Sequence, residues 1–288
     1  QEFESPDSGT DTNNTKNASS FSVSLSETTD GGTTISSSFM LQNEGGGLDN
    51  DTSLTLAFSD GSKLELLNAG NASGTHDVSI PGAAGEQGLT TTTTGNAPSG
   101  LDFATPATTF GLEWHSAADF GMDGLKVSAS YSADNEAAKS TTAMTSSAWG
   151  IGATYVTTAG DSTVTIGAGF SDSETKMTST QITSDAGGMH IGLSAVTGDL
   201  TVAVGYADGD TTTGVGSNVN KQVDGDVVKA GIKYVTGDIT MNVGMVSGTA
   251  KDNIFAGTGT LEDSHDEVNA SVTYAVASGV SAVVGYTT

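Results

Sequence analysis

Apolar and polar residues alternate along most of this chain with a period of two. The clearest example is the stretch Gly225–Ser247, in which two alternating runs flank a turn at Thr236–Asp238. The first run separates two sets of side chains, Val228, Ala230, Ile232 and Tyr234 on one face and Lys229, Gly231 and Lys233 on the other. This period is typical of a strand with one apolar and one polar surface, so the stretch predicts a β-hairpin.

The same hairpin pattern recurs along the chain and predicts about fourteen strands of about ten residues each. Short turns alternate with long polar stretches, which are expected to be loops: Asp134–Thr145, Asp172–Gly187, Asp208–Asp224 and Gly248–Asp266. Gln1–Asn17 has no periodicity and is expected to be a loop or tail. Asn68–Thr108, rich in Gly, Ala, Thr, Asn and Pro, interrupts the rhythm between the fourth and fifth strands. An irregular loop of that length inside a compact domain is either functional or evidence against the assignment of the strands.

Aromatic residues on the apolar face favour a membrane barrel over a soluble β-sandwich. They fall at the two ends of the strands, with Tyr155, Tyr234 and Tyr274 before short turns and Tyr131, Phe170, Tyr206 and Tyr286 towards the long loops. Two aromatic girdles with aliphatic side chains between them are what a lipid-facing surface requires. We therefore expect residues 1–288 to form one all-β domain, a transmembrane up-and-down antiparallel β-barrel.

Composition excludes several functional classes. Against 34 Asp and Glu there are 9 Lys and no Arg, which gives a formal net charge of −25, so a nucleic-acid partner is not expected. Cysteine is absent, which excludes disulfides and thiolate metal sites. The sequence has no apolar run long enough for a transmembrane helix and no signal peptide at Gln1. No motif points to catalysis, although a barrel hydrolase with His115 or His190 as base stays open as an alternative.

With its hairpins, aromatic girdles and long fourth connection, the chain resembles the Gram-negative general porins, most closely those of alphaproteobacteria. The resemblance implies a homotrimer of sixteen-stranded barrels in the outer membrane, in contact with lipid and lipopolysaccharide. It also implies one further strand at each end of this chain, and makes 68–108 the loop that folds inward and constricts the pore. The chain departs from the family in lacking a PEFGG motif, a terminal aromatic residue and the arginines typical of the constriction.

These features predict passive diffusion of ions and small hydrophilic solutes through a polar lumen, with cations preferred. The candidate pore-lining residues are acids and a histidine on the long loop and the adjacent wall, together with lysines on the polar strand faces: Asp77, Glu86, Asp102, Glu113, His115, Lys63, Lys126, Lys229 and Lys233.

No cofactor is expected apart from calcium bound weakly in a loop by clustered acids, namely Asp208, Asp210, Asp224 and Asp226. The four histidines are too scattered in the sequence to predict a zinc site. The acidity and the Gly/Thr/Asp richness also suit a second hypothesis, a secreted calcium-dependent adhesin or surface-layer protein.

Overall fold

The computed structural model describes residues 2–4, 12–14, 19–44, 47–66, 71–82, 111–135, 144–177, 182–215, 218–254, 260–278 and 280–288. In these residues the regular structure consists of β-strands and one turn of 3-10 helix, Gly74–His76. Two short strands, β1 (Glu2–Glu4) and β2 (Thr12–Asn14), pair with each other. The other strands are β3 (Ser19–Thr28), β4 (Thr34–Glu44), β5 (Gly47–Ala57), β6 (Lys63–Leu66), β7 (Gly111–His115), β8 (Leu125–Asn135), β9 (Met144–Ala159), β10 (Ser162–Met177), β11 (Ile182–Thr197), β12 (Leu200–Val215), β13 (Asn218–Thr236), β14 (Ile239–Ile254), β15 (Thr260–Ala277) and β16 (Val280–Thr287).

Strands β3 to β16 form one 14-stranded sheet in which each strand pairs with its neighbours in the sequence. All of these pairings are antiparallel, and no crossover interrupts the order in the described part of the chain. This topology is the up-and-down arrangement of a β-barrel. The predicted all-β fold class and the predicted number of visible strands are confirmed.

The long strands differ from the prediction in length. β9 to β15 contain 16 to 19 residues each, because pairing continues through stretches that were expected to be loops. In Asp172–Gly187, for example, β10 continues to Met177 and β11 begins at Ile182. The alternating apolar face ends near the aromatic girdle towards the long loops. The backbone hydrogen bonds of the strands continue beyond that point without an apolar face, because Thr and Val favour extended backbone.

The expectation of an irregular N-terminal stretch is also corrected. Within Gln1–Asn17, strands β1 and β2 pair in a small antiparallel ladder that sets Phe3 opposite Asn13. These strands are three residues long, too short for an alternating pattern to be recognised in the sequence.

The two faces of the sheet have the predicted character. Tyr131, Ile232 and Tyr274 on the apolar face are 50%, 49% and 48% exposed, as lipid-facing side chains are when the protein is considered alone. In the aromatic girdle towards the long loops, the rings of Trp149 and Phe170 pack with centroids 5.2 Å apart. No helix in the described part of the chain is long and apolar enough to cross a membrane.

The buried core lies on the opposite face, where residues 71–82 pack against the strands. Val78 and Ile80 of this segment join four inward-facing side chains of the sheet in one apolar cluster: Ala203, Ala207, Val227 and Val246. The same segment contacts strands from β8 to β14. A sheet whose one face touches a single short segment over that many strands must curve around it, so this face lines the interior of the barrel.

A charge placed on the outer face should destabilise the barrel far more than one placed on the inner face. Val204 lies between the girdles and is 47% exposed, whereas Thr201 on the same strand lines an internal polar cavity. We expect Val204→Lys to lower the free energy of unfolding in lipid vesicles by about 2–4 kcal/mol. Thr201→Lys, the control, should change it by about 0.5 kcal/mol or less. Equal effects in a urea titration would contradict the assignment of faces.

Candidate functional site

Residues 71–82, the inner segment, form the described part of the long loop and lie against the inner face of the sheet. Glycines on the wall allow this approach. A methyl group at Gly192 would lie 2.6 Å from Val78 Cβ, and one at Gly231 would collide with the carbonyl group of Pro81. A methyl group at Gly152, Gly167 or Gly169 would likewise collide with other atoms of the segment. The described residues of the loop thus lie on the inner face of the sheet, and that residues 68–108 constrict the pore stays a prediction.

Hydroxyl groups of the wall anchor the backbone and side chains of the inner segment. Ser130 Oγ accepts a hydrogen bond of 2.9 Å from the Ala72 amide. Thr75 Oγ1 donates to Glu113 Oε1 over 2.7 Å, which ties the segment to β7. Because a buried polar group without a partner is costly, these bonds are what make docking of a polar segment possible.

His76 is a buried histidine of the inner segment and is 4% exposed. Its Nδ1 lies 2.7 Å from Thr154 Oγ1 and its Nε2 lies 2.8 Å from Ser128 Oγ. Burial, followed by the nearby charges of His115, His190 and Lys126, lowers the pKa of His76 from 6.5 to about 4. The ring is therefore neutral at pH 7, with one nitrogen donating and the other accepting.

Ser128 links His76 to a second histidine, His115 on β7. Ser128 Oγ is 2.9 Å from His115 Nδ1, so the two rings lie on either side of one hydroxyl group. On its other side, His115 Nε2 lies 3.3 Å from Glu65 Oε2 and 3.6 Å from Glu113 Oε1. Glu65 and Glu113 face each other in the β6–β7 register, and the three side chains could together hold a metal ion.

The third histidine of the wall, His190 on β11, contacts the inner segment from another side. Its Nε2 donates to the carbonyl oxygen of Ser73 over 2.9 Å, and its Nδ1 lies 3.1 Å from Asp77 Oδ1. Serine, histidine and aspartate thus lie together, but the bond goes to the backbone of Ser73 and not to Oγ. Ser73 is also completely buried, so a substrate could not reach it. This geometry does not support the hydrolase alternative.

Two of the predicted pore-lining residues, Asp77 and Lys233, border the same polar cavity of about 410 Å³. Thr165, Ser194 and Asn242 contribute further polar side chains to it. An acid on the inner segment and a base on β13 therefore face one water-accessible space. Such an arrangement produces an electric field across the lumen.

The other predicted pore residues have varied surroundings. Lys63 pairs with Glu65, with Nζ 2.6 Å from Oε1, and Glu113 is 1% exposed. Lys126 and Lys229 alternate with outward residues of β8 and β13 and so belong to the inner face, where Lys126 is exposed. Two more of the predicted residues, Glu86 and Asp102, lie outside the described residues. That any of the predicted pore residues lines the constriction stays a prediction.

The predicted calcium ligands lie in strands and not in a loop. Asp208 and Asp210 of β12 face Asp226 and Asp224 of β13 as cross-strand partners, on the same side of the sheet as Tyr206. The Tyr206 hydroxyl group donates to Asp208 Oδ2 over 3.4 Å. Calcium binding at these four carboxylates stays a prediction.

Sequence analysis missed the roles of His76 and His190 and the glycine-lined contact surface. The histidines are scattered in the sequence, but the fold brings His76 and His115 to one hydroxyl group, that of Ser128. One signal was available: Val78 and Ile80 alternate with polar residues inside a loop that otherwise shows no periodicity. Val227, an apolar residue on an otherwise polar strand face, was the matching signal on the wall.

Comparison with known proteins agrees with the geometry. A family model described as Gram-negative porin matches residues 2–288. A search among curated proteins finds no significant match.

Several solved structures share the fold at low sequence identity. The trimer form of in-vitro folded OmpT, an outer membrane protein of Vibrio cholerae, is 15% identical with a TM-score of 0.58, over 94% of this chain and 80% of that one. A porin refined at 1.8 Å resolution is 18% identical with a TM-score of 0.56, over 93% and 85%. A mutant of the Rh. blastica porin is 15% identical with a TM-score of 0.53, over 94% and 84%.

Adding a methyl group to the wall should loosen the inner segment without unfolding the barrel. In Gly152→Ala the new Cβ would lie 2.6 Å from His76 Cδ2 and would also press on the Ala72 carbonyl group. Overpacking of this kind costs about 1–3 kcal/mol, so amide exchange in 71–82 should accelerate at least about fivefold. Gly187→Ala is the matched control, since its Cβ would first meet the carboxylate of Asp172 at 3.3 Å. Unchanged exchange in Gly152→Ala, measured by mass spectrometry, would count against the docking.

Docking of the inner segment should also weaken in acid. The pKa of His76 is about 4 when docked and 6.5 when free, so the undocked form gains a proton as the pH falls between these values. Docking is therefore at full strength above pH 6.5 and weakens by up to about tenfold per pH unit below it. Amide exchange in 71–82, corrected for its intrinsic pH dependence, should show this in the wild type and not in His76→Gln. Identical pH profiles for the two proteins would exclude His76 as the cause.

Proposed function

Since the chain belongs to the Gram-negative porin family and resides in the bacterial outer membrane, we propose that it lets ions and small hydrophilic solutes diffuse passively through its lumen and prefers cations. The family and the fold point to a channel and not to an enzyme. The alphaproteobacterial type within the family stays a prediction.

The observation that carries this proposal is the position of the inner segment. Its apolar residues Val78 and Ile80 are held by the wall, and its acid Asp77 points into the polar cavity that Lys233 also borders. Passive diffusion needs a polar passage of restricted width, and a segment folded onto the inner wall narrows the passage without closing it.

Cation preference is supported by the distribution of charge beyond the aromatic girdle that lies towards the long loops. There the extended strands carry many exposed or half-exposed acids, among them Asp172, Glu174, Asp185, Asp208, Asp210, Asp224, Asp226 and Asp266. Together with the net charge of −25, these acids would raise the local concentration of cations at the mouth. Of the four lysines predicted to face the lumen, Lys63 is already paired with Glu65.

A homotrimer in contact with lipid and lipopolysaccharide completes the proposal. The trimer is supported by the resemblance of the chain to porins and by its similarity to the trimer form of OmpT. The exposed apolar face between the girdles suits membrane lipid, and the acid pairs above Tyr206 suit weak calcium binding near charged head groups. The adhesin hypothesis gains no support from the fold or from the comparisons.

Reversal potentials in a planar bilayer would test the proposed selectivity. Under a KCl gradient the purified full chain should favour potassium over chloride. Lys233→Gln should increase this preference and Asp77→Asn should reduce it, because both residues border the same cavity. Asp161→Asn, in the exposed β9–β10 turn, is the control and should have the smallest effect. A preference for chloride in the wild type would reject cation selectivity, and the absence of channels from folded protein would reject the porin function.

A further inference from the structure

We propose that Glu65, Glu113 and His115 form a binding site for a divalent transition-metal ion, with Zn²⁺ as the best match, on the inner wall of the barrel. These residues come from β6 and β7, the two strands that flank the long loop. The site differs in place and in chemistry from the calcium positions on β12 and β13, which offer carboxylates alone.

The ligand atoms already have a suitable spacing. His115 Nε2 is 3.3 Å from Glu65 Oε2 and 3.6 Å from Glu113 Oε1, and all three atoms lie within 4.8 Å of one another. Zinc bonds to nitrogen and oxygen of about 2.0–2.1 Å require ligand atoms about 3.3 Å apart in a tetrahedron. Small rotations of the two carboxylates would therefore complete three corners, and a water molecule would supply the fourth.

Two hydrogen-bond donors at the edge of the cluster hold its carboxylates. Lys63 Nζ is bound to the outer oxygen of Glu65, Oε1, and the Thr75 hydroxyl group donates to Glu113 Oε1. Ser128 Oγ lies 2.8 Å from Nε2 of the neutral His76 ring and 2.9 Å from His115 Nδ1. In the tautomer that carries its proton on Nε2, His115 donates to Glu65 Oε2 over 3.3 Å. In the tautomer that carries it on Nδ1, His115 donates to Ser128 and leaves Nε2 for a metal cation between the two carboxylates.

The hydrogen bond at Nδ1 is also the support that metal-binding histidines usually have. Such histidines donate their second ring N–H to a fixed acceptor, which sets the ring orientation and leaves the other nitrogen for the metal. In this barrel the acceptor in that tautomer is Ser128, which contacts His76, and His76 is itself held by Thr154. Three residues on three separate elements thus orient one imidazole towards the two carboxylates.

Charge and access favour binding of a cation. Glu65 and Glu113 are direct cross-strand partners, and like charges in this position repel each other. Lys63 offsets one of the two charges. Glu65 has a side-chain exposure of 30%, whereas the side chains of His115 and Glu113 are 13% and 2% exposed, so an ion would enter past Glu65.

The consequence for the channel depends on the proposed porin function, but metal binding itself does not. A bound dication would neutralise the two wall carboxylates next to the inner segment and lower the preference for cations. Zinc would then act on selectivity from the wall without filling the pore.

Calorimetric titration of the detergent-purified full chain with ZnCl₂, after treatment with a chelator, tests the site. Excess CaCl₂ would be present to occupy sites made of carboxylates alone. We expect one ion per chain, with affinity lowered at least about tenfold in His115→Asn and in Glu65→Gln. His265→Asn, which removes a histidine on β15, is the matched control and should bind as the wild type does.

Unchanged affinity in His115→Asn, or no saturable binding by the wild type, would overturn the proposal. Glu65 is partly exposed, so Glu65→Gln decides the matter if His115→Asn does not fold. Titration with Co²⁺ gives an independent readout, because strong visible bands would mark a four-coordinate site with nitrogen and oxygen ligands, and weak bands would contradict one. A loss of zinc binding with unchanged channel conductance would separate this site from the porin function.

Discussion

In the hydrocarbon layer of a membrane, every backbone amide and carbonyl group needs a partner inside the protein. In the described part of the chain, the fourteen strands of the main sheet meet this requirement by pairing with their sequence neighbours. Once the backbone is paired in this way, alternate side chains must point to opposite faces. The outer face must then be apolar, and the inner face is free to carry small and polar residues. The docking of the inner segment depends on these small and polar residues of the inner face.

The inner face is used to hold a segment of the chain's own backbone. Glycines such as Gly167 and Gly231 allow the segment to approach the wall, and the hydroxyl groups of Ser128 and Ser130 bind its polar atoms. Larger side chains at the glycine positions would fill the space that the inner segment now occupies, and the segment could not dock on the wall. The wall therefore combines close approach at some positions with hydrogen bonding at others, and both are needed to bury polar backbone.

The strands could be predicted from the sequence because their signal is local. The alternation has a period of two residues, so a short stretch of sequence shows it. Val228 and Ile232, which the alternation assigns to the apolar face, are exposed on that face in the structure. The contacts of His76 could not be predicted in this way, since its partners Ser128 and Thr154 are 52 and 78 residues away in the chain. The full length of β10 could not be predicted for another reason. Its last residues have no alternating apolar face, and only their backbone pairing with β11 identifies them as strand.

The cluster at Glu65, Glu113 and His115 shows how stability and function are joined on this wall. Two carboxylates in direct register would destabilise the β6–β7 pair if nothing compensated them. Lys63 compensates one of them, and the other lies 3.6 Å from His115 Nε2, next to the proposed metal position. Because Thr75 of the inner segment donates to Glu113, the same carboxylate also helps to fix the segment. A cation that enters the lumen and reaches Glu65 would therefore meet Glu113, a carboxylate that also helps to hold the inner segment.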